Sequence, residues 1–257
     1  MNLSNGHPYT KSFYEENGYI IVNNTISKSE CDDIKNTLEQ HTTDDYTNML
    51  NPDRYEFLVS QTTHRITGSM RERVDYLEKC QSTSEKIREL LKDKRIVSEL
   101  EYLYENELYG LSTHMIWKKP DTKFSSQAWR PHQDNSYSKN KNGLTVTINI
   151  FLDDVTVENG CIYNYPGSHK EGLMEFKSHQ SWDNENKPGN EVEVPSKYKK
   201  NDVLGNVGDM YIQHGNLIHG SYSNNSFNMR GMYSATYIVK GEAFESGYNA
   251  MRKVIGV

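Results

Sequence analysis

His132, Asp134 and His219 are the residues of this chain whose types and spacing are best suited to chemistry. In His132-Gln133-Asp134, a β-strand would send the first and third side chains out on one face, roughly 6–7 Å apart. An imidazole and a carboxylate so placed can grip one metal ion from the same side. His219, far along the chain and on another strand, would complete a two-histidine, one-carboxylate facial set. Such a set leaves coordination positions open for oxygen and a co-substrate. Taken alone, His-x-Asp also fits a turn in which the two side chains merely hydrogen-bond one another.

The neighbours of His219 weigh toward the metal. His219-Gly220-Ser221 is followed by Arg230, which precedes an apolar strand and so can enter the core of a sheet. A buried arginine is costly unless paired, and a carboxylate-bearing ligand pairs it bidentately. The Ser221 hydroxyl can join the same carboxylate. The plainer alternative leaves Arg230 in solvent at the strand edge. Glu158-Asn159-Gly160-Cys161 and Pro166-Gly167-Ser168-His169 read as two turns flanking a short strand. His169 in such a turn, and His214 at a strand end, are read as structural.

These side chains need elements to carry them. Residues 10–17 read as a helix and Gly18–Val22 as a strand; Ser27 with Glu30 forms a capping box opening an amphipathic helix over 28–41. A loop is expected from about 42 to 60, then a second helical region from Ser84 through Tyr104, either continuous or with one break. After Gly110 come short strands: Leu111–Trp117, Thr145–Leu152, Cys161–Tyr165, Asp209–Gln213 and Met232–Val239. Strands without intervening helices predict a sandwich or barrel, here a mainly β double-sheet jelly roll braced by N-terminal helices. Residues 171–202 are rich in Asn, Lys, Glu and Ser and read as a polar insertion, either a plain surface loop or an active-site lid.

Composition bounds the rest. A chain of 257 residues fits one domain: helical support over about 1–110, a jelly-roll core over about 111–240, and the insertion. A net charge of −6 gives no reason to expect nucleic acid. Three cysteines without ligand spacing argue against a disulfide framework or a zinc ribbon and fit a reducing compartment. No apolar run approaches the ~20 residues of a membrane span, and the first residues lack the character of a signal peptide. A cytoplasmic protein is expected. Its 18 tyrosines can pack a core while presenting hydroxyls, and an AT-rich coding sequence explains them equally well.

Four motifs in order, Pro131-His132-Gln133-Asp134, Glu158-Asn159-Gly160-Cys161, Pro166-Gly167-Ser168-His169-Lys170 and His219-Gly220-Ser221 with Arg230, resemble the phytanoyl-CoA dioxygenase family. That resemblance covers most of the chain and implies an Fe(II)- and 2-oxoglutarate-dependent oxygenase on a double-stranded β-helix (cupin-like jelly roll). It implies His132, Asp134 and His219 as iron ligands, and Arg230 with Ser221 on the distal carboxylate of 2-oxoglutarate. Gln133 and Met115 match positions lining the co-substrate pocket. Asn149 stands where the family's best-known member has tryptophan, and it shares a strand face with Thr147 and Phe151.

The reaction so implied couples decarboxylation of 2-oxoglutarate to succinate and CO2, using O2, with oxidation of a substrate C–H bond. Asp134 fills the position that halogenating relatives leave for chloride, so hydroxylation is the default; desaturation, epoxidation or cyclisation use the same centre. A zinc hydrolase would leave Arg230 and Ser221 unexplained. A non-catalytic cupin-like binding protein is the alternative outside enzymes. The substrate class expected is a small molecule, and Trp117, Lys118, Lys119, Trp129 and Arg130 form either an aromatic and basic rim for an anion or ordinary strand-end surface.

Overall fold

The computed structural model describes residues 11–47, 76–78, 85–120, 126–179, 185–186, 189–245 and 255–256. The chain enters through α1 (Lys11–Asn17) and β1 (Tyr19–Val22), then α2 (Lys28–Thr47). The capping box forms: Ser27 N donates to Glu30 Oε2 at 2.9 Å and Glu30 N to Ser27 Oγ at 3.3 Å. Helix α2 runs past the expected end at 41, so residues 42–47 are helical rather than loop; residues 48–60 lie outside the described part. After β2 (Tyr76–Glu78), the second helical region is two helices, α3 (Glu85–Leu90) and α4 (Lys94–Tyr104). Asp93 makes the break, its side chain accepting from Arg95 N as an N-cap.

The strands follow as β3 (Leu108–Lys118) and β4 (Trp129–His132), the one-turn helix α5 (Asn135–Ser138), then β5 (Thr145–Phe151) and β6 (Ile162–Asn164). Next are β7 (Lys177–His179), β8 (Gly189–Glu191), β9 (Asn201–Val203), β10 (Met210–His214), β11 (His219–Ser221), β12 (Arg230–Val239) and β13 (Ile255–Gly256). All strand pairs within the named sheets are antiparallel. One sheet runs β1-β10-β5-β12-β3-β13, with β2 also on β3; the smaller runs β4-β11-β6-β9. This is the predicted jelly roll, two facing sheets with helices against one of them.

Alternation along the larger sheet separates two chemistries. Val146, Ile148, Ile150, Met210, Ile212, Tyr233, Ala235 and Tyr237 face the helices and pack with Cys31, Ile34, Ile87, Ile96 and Leu100. Full burial of each large apolar side chain contributes about 1.5–3 kcal/mol. Three tyrosines here find hydroxyl partners: Tyr237 Oη donates to the Leu91 carbonyl at 3.0 Å, and the Tyr14 and Tyr104 hydroxyls lie 2.8 Å apart. The opposite face, toward the smaller sheet, is polar over two cross-strand rows. Register sets Gln213, Thr147, Thr236 and Ser112 side by side, and beside them Tyr211, Asn149, Ser234 and His114. Phe151, Met232 and Ile116 close the next row, and Arg230 with Lys118 the last.

Candidate active site

Strand β4 ends at His132, and Asp134 is not on it. Asp134 has φ −61° and ψ −33°, helical values, at the turn opening α5. The same-face strand argument therefore places only His132; a strand-to-helix turn swings the carboxylate back beside it. His219 on β11 sits directly across from His132 in antiparallel register, with ring centroids 4.3 Å apart. Asp134 Oδ1 lies 3.6 Å from His132 Nε2 and 3.5 Å from His219 Nε2. One ligand atom from each residue falls within 4.8 Å of the others, a cluster sized for one ion. The approach of β11 depends on Gly220, where a Cβ would meet Tyr163 Oη at 2.5 Å and the Trp129 carbonyl at 2.7 Å.

The imidazoles are oriented for ligation. His132 Nδ1 lies 2.7 Å from the Arg130 carbonyl, and His219 Nδ1 lies 3.0 Å from the Leu217 carbonyl. A carbonyl only accepts, so each Nδ1 carries the proton and each Nε2 keeps its lone pair toward Asp134. Burial pushes the His219 imidazole down to about 4, so it is neutral at neutral pH. Burial opposes charge on Asp134 too, but the neighbouring His219, His132 and the Thr147 hydroxyl outweigh it and hold its carboxyl well below the usual range. Two imidazole nitrogens and one carboxylate oxygen suit a divalent transition metal.

A second set of buried polar side chains is formed by Arg230 and Ser221. Arg230 is 1% exposed; its Nη2 donates to the Gly160 carbonyl at 3.1 Å, while Nε and Nη1 have no hydrogen-bond partner among the described residues. Burial brings its guanidinium down to about 10, still cationic at neutral pH. Ser221 Oγ is also buried without a partner among the described residues. Arg230 on β12 and Ser221 on β11 belong to the two facing sheets, and a guanidinium and a hydroxyl are the donor types that pair with a carboxylate. The turn at Glu158–Cys161 gains a role here, since Gly160 (φ +87°) packs against the Lys118 stem and the Tyr222 carbonyl while its own carbonyl holds Arg230. Lys118, fully buried opposite Arg230, donates to the Gln127 carbonyl at 2.9 Å and to that of Tyr222.

Comparison with known proteins agrees with this geometry. Residues 14–232 match the family described as phytanoyl-CoA dioxygenase (PhyH). The chain belongs to the phytanoyl-CoA dioxygenase family. It is 23% identical over 260 residues to a phytanoyl-CoA dioxygenase of Arabidopsis thaliana, covering 88% of this chain and 87% of the relative. In fold it resembles the epimerase SnoN, solved with Fe3+, alpha ketoglutarate and nogalamycin RO, with TM-score 0.66, 21% identity, and 96% and 93% of the two chains covered. It also resembles EctD from S. alaskensis, solved with 2-oxoglutarate and 5-hydroxyectoine, with TM-score 0.67, 16% identity, and 94% and 80% covered. This member of the phytanoyl-CoA dioxygenase family is a non-haem iron dioxygenase whose cofactors are iron and 2-oxoglutarate.

Of the pocket residues that the family resemblance implied, Asn149 lies on the interior face between Tyr211 and Ser234. Gln133 does not line the pocket with a free amide. Its Nε2 donates to the Gly172 and Asn216 carbonyls at 2.8 and 2.6 Å, and its Oε1 accepts from Met174 N at 2.8 Å, so it ties three loops together. Met115 faces the other way, opposite Tyr233 in the helix-side core, because odd positions of β3 point outward there. The rim also changes: Trp117 is in that same core and Lys118 is inside the barrel, while Trp129 stays near His132 at 6.2 Å between centroids. His214 packs on His169 at 5.0 Å, away from the ligand set, as a structural pair.

Other contributors carried no signal in the sequence. Ser168 Oγ accepts from Ile218 N at 2.9 Å, bracing the residue before His219. Gln213, on an ordinary alternating strand, reaches Asp134 and His219. Within residues 171–202, β7 and β8 form a hairpin anchored across the ligand-bearing segment: Val192 N donates to the Pro131 carbonyl at 2.9 Å and Asn190 Nδ2 to Ser136 Oγ at 2.8 Å.

Proposed function

We propose that this dioxygenase hydroxylates an unactivated C–H bond of a small polar metabolite. In this reading His132, Asp134 and His219 hold the iron, and Arg230 with Ser221 holds the distal carboxylate of 2-oxoglutarate. The carrying observation is Arg230: a buried cation on the sheet that faces the one bearing His132 and His219, with two nitrogens unpartnered among the described residues, is matched by a dicarboxylate co-substrate. Iron with 2-oxoglutarate and O2 supplies the oxidation of the C–H bond, with release of succinate and CO2.

The chain's own residues do the rest. The Nδ1–H bonds of His132 and His219 fix both rings before any ion arrives. Asp134 occupies the position a halide would need, which favours hydroxylation over halogenation. The row of Gln213, Thr147, Thr236 and Ser112 extends from the ligand set and presents hydroxyls and an amide, which suits a substrate with polar groups. The β7–β8 hairpin beside β4 serves as a wall that covers the bound substrate.

The test is succinate formation that requires both ferrous iron and 2-oxoglutarate, screened over small polar candidates, followed by mass analysis of the product under 18O2. Hydroxylation adds one labelled oxygen. A product lighter by two hydrogens, or isomeric with its substrate, would replace hydroxylation by desaturation, cyclisation or epimerisation at the same centre.

A further inference from the structure

Gln213 enters the interior from β10 beside Thr147 and is 1% exposed. Its Nε2 lies 2.8 Å from Asp134 Oδ2 and 3.0 Å from His219 Nε2. An amide nitrogen carries two hydrogens, and these two acceptors take one each: a carboxylate oxygen, and the lone pair that the Nδ1–H tautomer of His219 leaves bare. The opposite amide orientation would set Oε1 against a carboxylate oxygen, acceptor to acceptor, so the nitrogen faces the site. The two oxygens of Asp134 are thereby made different. Oδ2 is held by Gln213, while Oδ1 faces both imidazole Nε2 atoms at 3.5 and 3.6 Å.

We propose that Gln213 is a positioning residue of the metal centre, whose amide holds Asp134 Oδ2 and so keeps Asp134 a one-oxygen ligand through Oδ1. This rests on the assignment of His132, Asp134 and His219 as the metal set. An ion taking the His219 lone pair ends the second contact of the amide and leaves the first. The consequence is functional: a carboxylate free to turn could place both oxygens on the ion and fill a position that co-substrate or oxygen needs. Outer hydrogen-bond partners of this kind typically change metal affinity about 10–100-fold when removed.

Gln213→Met keeps the side chain's length and removes both donors. The probe is Co(II), titrated into the full chain and followed by its visible d–d absorption. Relative to the unsubstituted protein, Gln213→Met is expected to bind Co(II) about 10–100-fold more weakly and to show an altered d–d spectrum. The metal-free unfolding midpoint should stay within a few degrees. Unchanged Co(II) affinity and spectrum in the folded variant, with only the midpoint moved, means a packing role and overturns the proposal. Gln213→Leu serves if the methionine variant does not fold. A crystal structure of the Co(II)-loaded unsubstituted chain reads the same point directly: Gln213 Nε2 on Oδ2 supports it, and a two-oxygen Asp134 overturns it. Wild-type affinity for Co(II) in Asp134→Ala would instead overturn the three-ligand assignment, and this role with it.

Discussion

Arg230 holds its charge where water does not reach, with one nitrogen on a backbone carbonyl and two without partners among the described residues. That arrangement opposes folding and favours a ligand, and the two effects are separable. Arg230→Met fills similar space without charge, so the ligand-free variant should be as stable as the parent or more so, because replacing buried charge with packed apolar atoms is often neutral or stabilising. Its apparent affinity for 2-oxoglutarate should fall by ~30-fold or more, the loss seen when one partner of a buried charge pair is removed. Urea unfolding and 2-oxoglutarate titration check the two halves; unchanged affinity refutes the role. For the ligands, His132→Ala or Asp134→Ala should abolish iron-dependent succinate formation while leaving a folded protein. Full turnover in either would remove the iron assignment.

At the scale of elements, the site depends on how closely β11 lies between β4 and β6. Gly220→Ala would drive a methyl into Tyr163 Oη and the Trp129 carbonyl, so β11 must shift, at about 1–3 kcal/mol in stability. Because His219 and Ser221 flank Gly220, the same shift should weaken both metal and 2-oxoglutarate binding. A variant with parental stability and parental affinities would show that the strand tolerates the displacement. The elements were legible where pattern and burial agree. Strand β5 alternates because one face meets the helices and the other the interior, and the capping box at Ser27 marks the start of α2. Asp134 was not legible in this way: period-two reasoning assumed a continuing strand, and the chain turns into α5 with Asp134 as its N-cap, two residues after His132. Met115 failed for the opposite reason, since the strand persists and its alternation carries that side chain outward.

For the whole molecule, buried histidines make acid the natural stress. His214 is pushed down to about 3 by burial and by His169, and burial also lowers His169 and His219. A histidine free in the unfolded chain titrates near 6.5. Below about pH 6.5 the unfolded state therefore takes up protons that the folded state refuses, and stability falls with pH until the folded group itself titrates. Above that range these groups contribute no slope. Each such histidine adds up to about 1.4 kcal/mol per pH unit between its two values. In His214→Asn the new amide oxygen can accept from Asn216 N, as His214 Nδ1 does at 3.0 Å, while the titration is removed. Its stability should therefore fall less steeply than the parent's between about pH 6 and 4. Equal slopes in chemical denaturation across that range would contradict the shift.

The sequence by itself determined the chemistry's vocabulary: which ligand types are present, their order along the chain, and a mainly β jelly-roll scaffold to carry them. Those follow from local pattern and residue type. Only the tertiary structure decided which atoms face one another. It set His132 against His219 through strand register, curled Asp134 back through a turn, buried Arg230 and Ser221 with polar atoms unpaired among the described residues, and brought Gln213 onto the carboxylate. Contacts between residues remote in sequence depend on how sheets pair and which way each side chain points, and no local pattern in a single chain encodes that.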